Sequence, residues 1–353
     1  MSDRESVLKA VNQVKPALAS QSYVPALTHV AFDGEYATTY NDITAIRVRC
    51  KTEFSRCLPG DLLQKALNNL TAPEVAFQEA EGSIIVAAGR SKIKLASLPI
   101  NDFPFAFPDD SRAAEIGLKK AVLAGIERCL ISVGQDPSHP AQMGVTLESV
   151  GGEALLYSTD NYTISRYIVE TKVKLPGDTP VILPTFFCEQ LLALAKTFPD
   201  SKCALYIRPG SVVAQFEEDA LLFTKMVVDL EPLDFVRILK RHASEDELSS
   251  GCDLPDGYEA AFQRALLVLG SGSEKVTRVS VTEGSMKLNT VSPYGEVTDR
   301  LKFSGKEDLD IHIDPTLVLR ASKVCDRILI KDNITVLSTK DGTFTHMIAH
   351  SVR

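Results

Sequence analysis

Hydrophobic and polar positions follow two periods along this chain, and one combination of them recurs. Val181-Ile182-Leu183 is a short apolar run and Pro184 follows it. From there Phe187, Leu191 and Leu194 fall on one helical face, while Thr185, Glu189 and Lys196 fall on another. The pattern predicts a strand and then a helix. The proline suits the helix's first turn, where its missing N–H is not needed. Arg56-Cys57-Leu58-Pro59 leading into residues 60–67 has the same form, and so has Ile311-His312-Ile313-Asp314-Pro315 leading into residues 316–323. The copies stand roughly 125–130 residues apart, the size of a domain and not of a short solenoid repeat.

The surroundings of the three copies read alike. Val7, Val11, Val14 and Leu18 predict an opening helix that bends or ends near Pro16. Residues 27–32 and 36–40 predict strands joined through Asp33-Gly34, a hairpin signal. Residues 44–52, 75–78, 83–88 and 92–97 predict further strands. In the second copy Leu118, Val122, Ile126 and Cys129 mark the opening helix, and residues 143–148, 154–158, 163–171, 203–207, 212–216 and 221–228 predict strands. In the third, Tyr258, Phe262, Ala265 and Leu269 mark the helix, and residues 279–282, 286–290, 296–303, 327–331, 334–338 and 343–350 the strands. Two proline-containing stretches, Leu98-Pro99-Ile100-Asn101-Asp102-Phe103 and Leu230-Glu231-Pro232-Leu233-Asp234-Phe235, close the first and second copies, and residues 244–251 read as a polar connection. Helices on one face of antiparallel sheets, three times in tandem, give an α+β layer architecture. The boundaries expected are residues 1–110, 111–231 and 232–353.

The length of 353 residues is enough for three such cores. A net charge of −8 argues, taken alone, against a nucleic-acid binder, though not against one whose positive groups share a surface. The seven cysteines (Cys50, Cys57, Cys129, Cys188, Cys203, Cys252 and Cys325) are scattered, without C-x-x-C, which points to reduced thiols and a cytoplasmic setting. The first nine residues hold no apolar signal core, and no run is long enough to span a membrane.

Catalytic motifs are missing. There is no G-x-x-x-x-G-K-[ST] loop, and Gly270-Ser271-Gly272-Ser273 reads as a turn after a helix. His346 and His350 share one face of an expected strand, where a solvated face is the ordinary reading, not a metal site. Asp109-Asp110 and Glu217-Glu218-Asp219 read as solvated turns. No cofactor, metal site or enzymatic activity is expected.

Three equal strand–proline–helix units in a mildly acidic chain without catalytic motifs resemble the bacterial DNA polymerase sliding clamp, the beta subunit of the replicative polymerase. Leu98-Pro99-Ile100-Asn101-Asp102-Phe103-Pro104 resembles the family's L-P-x-x-D-F-P, and Leu233-Asp234-Phe235-Val236-Arg237-Ile238-Leu239 its P-D-Y-x-R-V-L. Ser158-Thr159-Asp160-Asn161-Tyr162-Thr163-Ile164 stands where the family has A-T-D-G-H-R-L, and the last residues stand where it ends in V-V-M-P-M-R-L.

The resemblance implies three clamp domains per chain, with helices lining a ring and sheets outside. Two copies close head to tail around duplex DNA and tether the replicative polymerase, with a clamp loader as a further partner. Basic and polar residues expected to face DNA are Lys65, Lys120, Arg128, Gln135, Lys196, Arg264, Arg320 and Lys323; otherwise they are ordinary solvated helix and loop residues. The expected pocket for partner tails carries Thr159, Asn161, Tyr162, Thr163, Ile164, Leu233, Arg237, Ile238, Met347, Ala349, His350, Ser351 and Val352, with Asp314 and Leu317 from the third unit. Here Asn161-Tyr162-Thr163 replaces G-H-R and Ala349-His350-Ser351 replaces M-P-M, so a divergent set of partners is expected. The family's subunit joint pairs two edge strands; Ile93 and Leu95 align with the first, and Leu267, Val268 and Leu269 lie near the second, with core packing as the alternative. Other readings are a clamp-like platform that does not encircle DNA, and an enzyme or ligand-binding protein built on repeated α+β domains.

Overall fold

The computed structural model describes residues 2–108, 114–151, 153–170, 175, 179–227, 230–249, 251–270, 275–305 and 308–351. The chain divides into two compact units: Met1–Lys119 with Phe186–Asp229, and Lys120–Thr185 with Leu230–Arg353. Among the described residues every strand pairing is antiparallel, and helices accompany the sheets, as the α+β reading expects.

The first unit holds a nine-stranded sheet in the order Ala114–Leu118, Cys203–Arg208, Ser211–Phe216, Ala220–Lys225, Thr44–Arg49, Tyr36–Tyr40, His29–Phe32, Arg56–Pro59 and Leu98–Pro99. Its seam joins strands far apart in sequence, with Ala220 opposite Val48 and Thr224 opposite Thr44. The hairpin at Asp33-Gly34 forms as expected: Gly34 takes a φ of 100°, and Asp33 Oδ1 accepts the N–H of Tyr36 at 2.7 Å. A second sheet runs Ser2–Asp3, Glu74–Ala80, Ser83–Ala88 and Ser91–Ala96. Helix Arg4–Val14 buries Val7, Ala10, Val11 and Val14.

The second unit repeats the scheme. Its eight-stranded sheet runs Val181–Pro184, Gly144–Val150, Glu153–Thr159, Thr163–Val169, Phe344–Ala349, Ile334–Ser338, Arg327–Ile330 and Cys252–Asp253. The seam is Thr163–Val169 against Phe344–Ala349, with Thr163 opposite Ile348 and Tyr167 opposite Phe344. A four-stranded sheet runs Gly295–Lys302, Ser285–Ser292, Thr277–Thr282 and Leu309–Ile313. Successive residues of the last strand point to opposite faces. Ile348 joins one core with Phe262, Val279, Met286, Val318 and Phe344. Met347 joins another with Tyr157, Phe235, Leu239, Ile334 and Val336. Helix Lys120–Cys129 comes so close to the sheet that a Cβ on Gly125 would sit 2.5 Å from Leu156 Cδ1.

The strand–proline–helix phrase is present three times, with two differences from the sequence reading. Pro59 and Pro184 end their strands instead of opening the helices, because a residue without an N–H can close a ladder. Only Pro315 sits in the first helical turn, and its helix is short, Pro315–Leu319. Helix Thr185–Thr197 buries Phe187, Cys188, Leu191 and Leu194, the apolar face expected. Leu118 lies in a strand, ahead of its helix. Residues 244–251, read as a connection, contain helix Glu245–Ser249, and a further helix, Phe235–His242, capped by Asp234, precedes it. Ser244 and Glu247 form a capping box, Ser244 N–H donating to Glu247 at 2.8 Å. Residues 109–110, 250 and 271–274 lie outside those described. Among the described residues no helix is long and apolar enough to cross a membrane.

Candidate functional site

A tight turn joins two strands beside the seam of the second unit. Asp160 Oδ1 accepts the backbone N–H of Tyr162 at 3.1 Å and of Thr163 at 2.7 Å, and the Thr163 hydroxyl at 2.8 Å. Thr159 Oγ1 donates to the Thr163 carbonyl at 2.7 Å. Asn161 adopts a φ of 72°, which asparagine tolerates, and its side chain accepts from Gln142 Nε2 at 2.7 Å. The outcome is a buried Thr159 and Thr163 and a Tyr162 that is 67 % exposed. The Tyr162 carbonyl accepts the Ala349 N–H at 2.8 Å, tying the turn to the last strand.

Several residues of the expected docking site meet here. Ile164 stands opposite Met347, and both pack with Leu233 in the apolar cluster of Tyr157, Phe235 and Leu239. Phe235 stacks flat on Tyr157, ring centroids 4.9 Å apart. Arg237 is exposed and Ile238 half-buried on the helix above. Ala349 is exposed. His350 lies past the strand's end; its Nδ1 donates to the Asp332 carbonyl at 3.1 Å and Nε2 accepts from Thr335 Oγ1 at 2.9 Å. Ser351 N–H donates to the His312 carbonyl at 2.8 Å. Asp314 and Leu317 do not join this cluster. Asp314 caps its own helix, accepting Thr316 N–H at 2.7 Å, and Leu317 packs in the core on the sheet's other face. Val352 lies outside the described residues.

His346 is not on a solvated face. It is fully buried, with Nε2 3.4 Å from the Leu317 carbonyl and Nδ1 3.0 Å from Ser165 Oγ. Burial holds its imidazole down at about 4, so it is neutral at pH 7. Strand period alone could not reveal this, because both faces of that sheet are covered. In the acidic turn Glu217 and Glu218 are exposed, as expected, with Arg49 Nη1 3.3 Å from Glu218, while Asp219 is half-buried and accepts from the Ser201 hydroxyl.

The expected DNA-facing residues differ in exposure and in the contacts they make. Lys65, Lys120, Gln135 and Lys196 are exposed, and Arg128 is half-buried. Arg264 grips Asp299 through two nitrogens, Nη2 at 2.7 Å. Lys323 lies 3.8 Å from Glu259. Arg320 is engaged with Asp160 at 2.5 Å and with the Ile131 carbonyl at 3.2 Å, so its guanidinium is part of the turn's support. Two features escaped the sequence reading. Lys240 and Arg241, with Arg237 of the expected pocket, are exposed on the amphipathic helix Phe235–His242. Arg4, Glu5 and Lys9 line a groove of about 530 Å³ with Asn12, Gln13 and Gln190.

Of the expected joint residues, Ile93 is half-buried and Leu95 is buried on edge strand Ser91–Ala96. Leu267, Val268 and Leu269 end a helix; Leu269 is core, while Leu267 is 81 % exposed. The edge strand nearby is Gly295–Lys302, preceded by an exposed Tyr294.

Burial pushes the thiols of Cys57, Cys203 and Cys325 up to about 12 and that of Cys50 up to about 11, so none of these is a thiolate nucleophile at neutral pH. Among the described residues no group of three or more His, Cys, Asp or Glu side chains is arranged to hold a metal.

No protein-family model matches the chain. Relatives match along nearly all of it. The beta sliding clamp of Salmonella typhimurium is 24 % identical over 358 residues, 96 % of this chain and 95 % of that protein. The beta sliding clamp of Vibrio cholerae is 24 % identical over 347 residues, covering 93 % and 91 %. Among solved structures, a DNA polymerase sliding clamp from Pseudomonas aeruginosa superimposes with a TM-score of 0.85 at 20 % identity, covering 100 % of this chain and 99 % of that one. A sliding clamp from Bartonella birtlesii bound to griselimycin gives 0.87 at 16 % identity, covering 99 % and 98 %.

Proposed function

We propose that this chain, a divergent relative of the bacterial beta sliding clamps, is a DNA polymerase processivity factor. The observation that carries the reading is likeness to those clamps in both sequence and fold over nearly the whole length. Each chain supplies three clamp domains, residues 1–110, 111–231 and 232–353. Two copies close head to tail around duplex DNA. The joint uses the free edge strands Ser91–Ala96 and Gly295–Lys302, with Ile93, Leu267 and Val268 beside them. The ring works by topology, without cofactor or catalysis, in the cytoplasm. Exposed Lys65, Lys120 and Lys196 attract phosphates without reading sequence, which leaves the ring able to slide. A clamp loader opens it, and the replicative polymerase docks on the surface around Tyr162, Leu233, Arg237 and Ala349.

The test is retention on DNA. Loaded by a clamp loader onto nicked circular DNA, the labelled protein should co-elute with the circle and leave once the DNA is linearised. A stable monomer at micromolar concentration, with no retention on the circle, would overturn the encircling reading in favour of a platform that only binds proteins.

A further inference from the structure

The turn that presents Tyr162 is braced from beneath by polar side chains in an otherwise apolar interior. We propose that His346 is a positioning residue for partner docking, acting through Ser132 and Ser165 on the turn at residues 159–163. The inference rests on the docking surface argued above.

A carbonyl can only accept, so the His346 Nε2 that faces the Leu317 carbonyl carries the proton. Nδ1 must then accept. Ser165 Oγ at 3.0 Å and Ser132 Oγ at 3.3 Å are the donors within reach. The two serine hydroxyls lie 2.8 Å apart, and Thr163 Oγ1 lies 3.0 Å from Ser132 Oγ. Thr163 also meets Asp160 Oδ1, the oxygen that accepts the Tyr162 and Thr163 amides. Arg320 holds the other Asp160 oxygen. One imidazole thus links the Leu317 backbone, the last strand and the segment at Ser132 to the turn that exposes Tyr162.

An apolar side chain of similar volume would fill the same space but supply no direction. Hydrogen bonds in a buried site are directional, and a half-satisfied set is costly, so this set admits one placement of the turn relative to the last strand. Its neutral state at pH 7 keeps the acceptor nitrogen available.

The test uses His346→Leu, the double substitution Ser132→Ala with Ser165→Ala, and His346→Gln, whose carboxamide can both accept and donate. Hydrogen exchange at the Tyr162 and Thr163 amides is compared with amides of helix Tyr258–Leu269 as an internal reference. A fluorescein-labelled peptide of the bacterial clamp-binding type is titrated in parallel. In the first two variants exchange at the turn should rise about tenfold over the reference, and peptide affinity should fall about tenfold. His346→Gln should recover most of both. If the reference and the turn loosen equally, or neither does, His346 is core packing only and the proposal fails. If the unaltered protein does not bind the peptide, the docking reading is at fault, and the exchange comparison still decides the role of His346. Should His346→Leu not fold, the serine pair carries the test.

Discussion

Replacing Phe235 by alanine should detach one helix and leave the rest of its unit folded. Phe235 is 2 % exposed, stacks on Tyr157 at 4.9 Å, and with Leu239 pins helix Phe235–His242 to the sheet. Truncating a buried phenylalanine costs about 3–5 kcal/mol, and the lost ring pair about 0.5–1.5 kcal/mol is already part of that measured range. The helix has only eight residues, too few to persist without its packing. The loss should therefore appear as local opening. About 3–4 kcal/mol corresponds to a hundred- to a thousandfold rise in the open population at about 1.4 kcal/mol per factor of ten. Lys240 and Arg241 are exposed on this helix, so trypsin reads the opening directly. Cleavage there should accelerate by about that factor in Phe235→Ala, while the melting transition of the remaining core shifts little. Peptide binding beside Leu233 and Arg237 should weaken with it. Unchanged tryptic cleavage at Lys240 and Arg241, with a uniform loss of stability, would refute the claim that Phe235 anchors a separable element.

Other expectations follow from the same structure. Unfolded, the His346 imidazole titrates near 6.5; folded, burial holds it at about 4. Its contribution is therefore fully present above pH 6.5, and up to about 3 kcal/mol is lost as pH falls from 6.5 to about 4, because the unfolded chain takes the proton first. Denaturant melts at pH 7 and pH 4.5 should show less acid sensitivity in His346→Gln than in the parent; equal sensitivity would count against it. Gly125→Ala gains about 1 kcal/mol of helix propensity but places a Cβ 2.5 Å from Leu156 Cδ1 and 2.8 Å from Tyr167 Cδ1, and overpacking costs about 1–3 kcal/mol. A net loss near 1 kcal/mol and a lower melting temperature are expected, and a raised one would contradict the close helix–sheet approach. Changing Lys65, Lys120 and Lys196 together to alanine should flatten the salt dependence of DNA binding by about 2–3 in the slope of log K against log salt. An unchanged slope would place them away from phosphate.

Much of the fold was legible locally. Asp33-Gly34 specifies a hairpin through backbone conformations that few residues favour, and the spacing of Phe187, Leu191 and Leu194 specifies a helix with one buried face. The helix at Phe235–His242 was missed because proline and charge around it resemble a linker, although Phe235, Leu239 and Asp234 as cap carry its signal. At the proposed docking surface, the residues around Asn161 and Leu233 were recognisable by their place in a family pattern, while the packing of Leu317 in a core and the hold of Arg320 on Asp160 were not legible.

The sequence by itself determined where strands, turns and most helices lie, that the pattern occurs three times, and that known catalytic motifs are missing. These depend on spacing and on residue types that act within a few positions. Only the tertiary structure decided which strands meet. Thr163–Val169 pairs with Phe344–Ala349, and Ala220–Lys225 with Thr44–Arg49, through backbone groups that are alike in every strand. Those long-range seams bring Ser132 and Ser165 to His346 and Asp160 to Arg320, and so determine which polar residues are buried and which stay exposed.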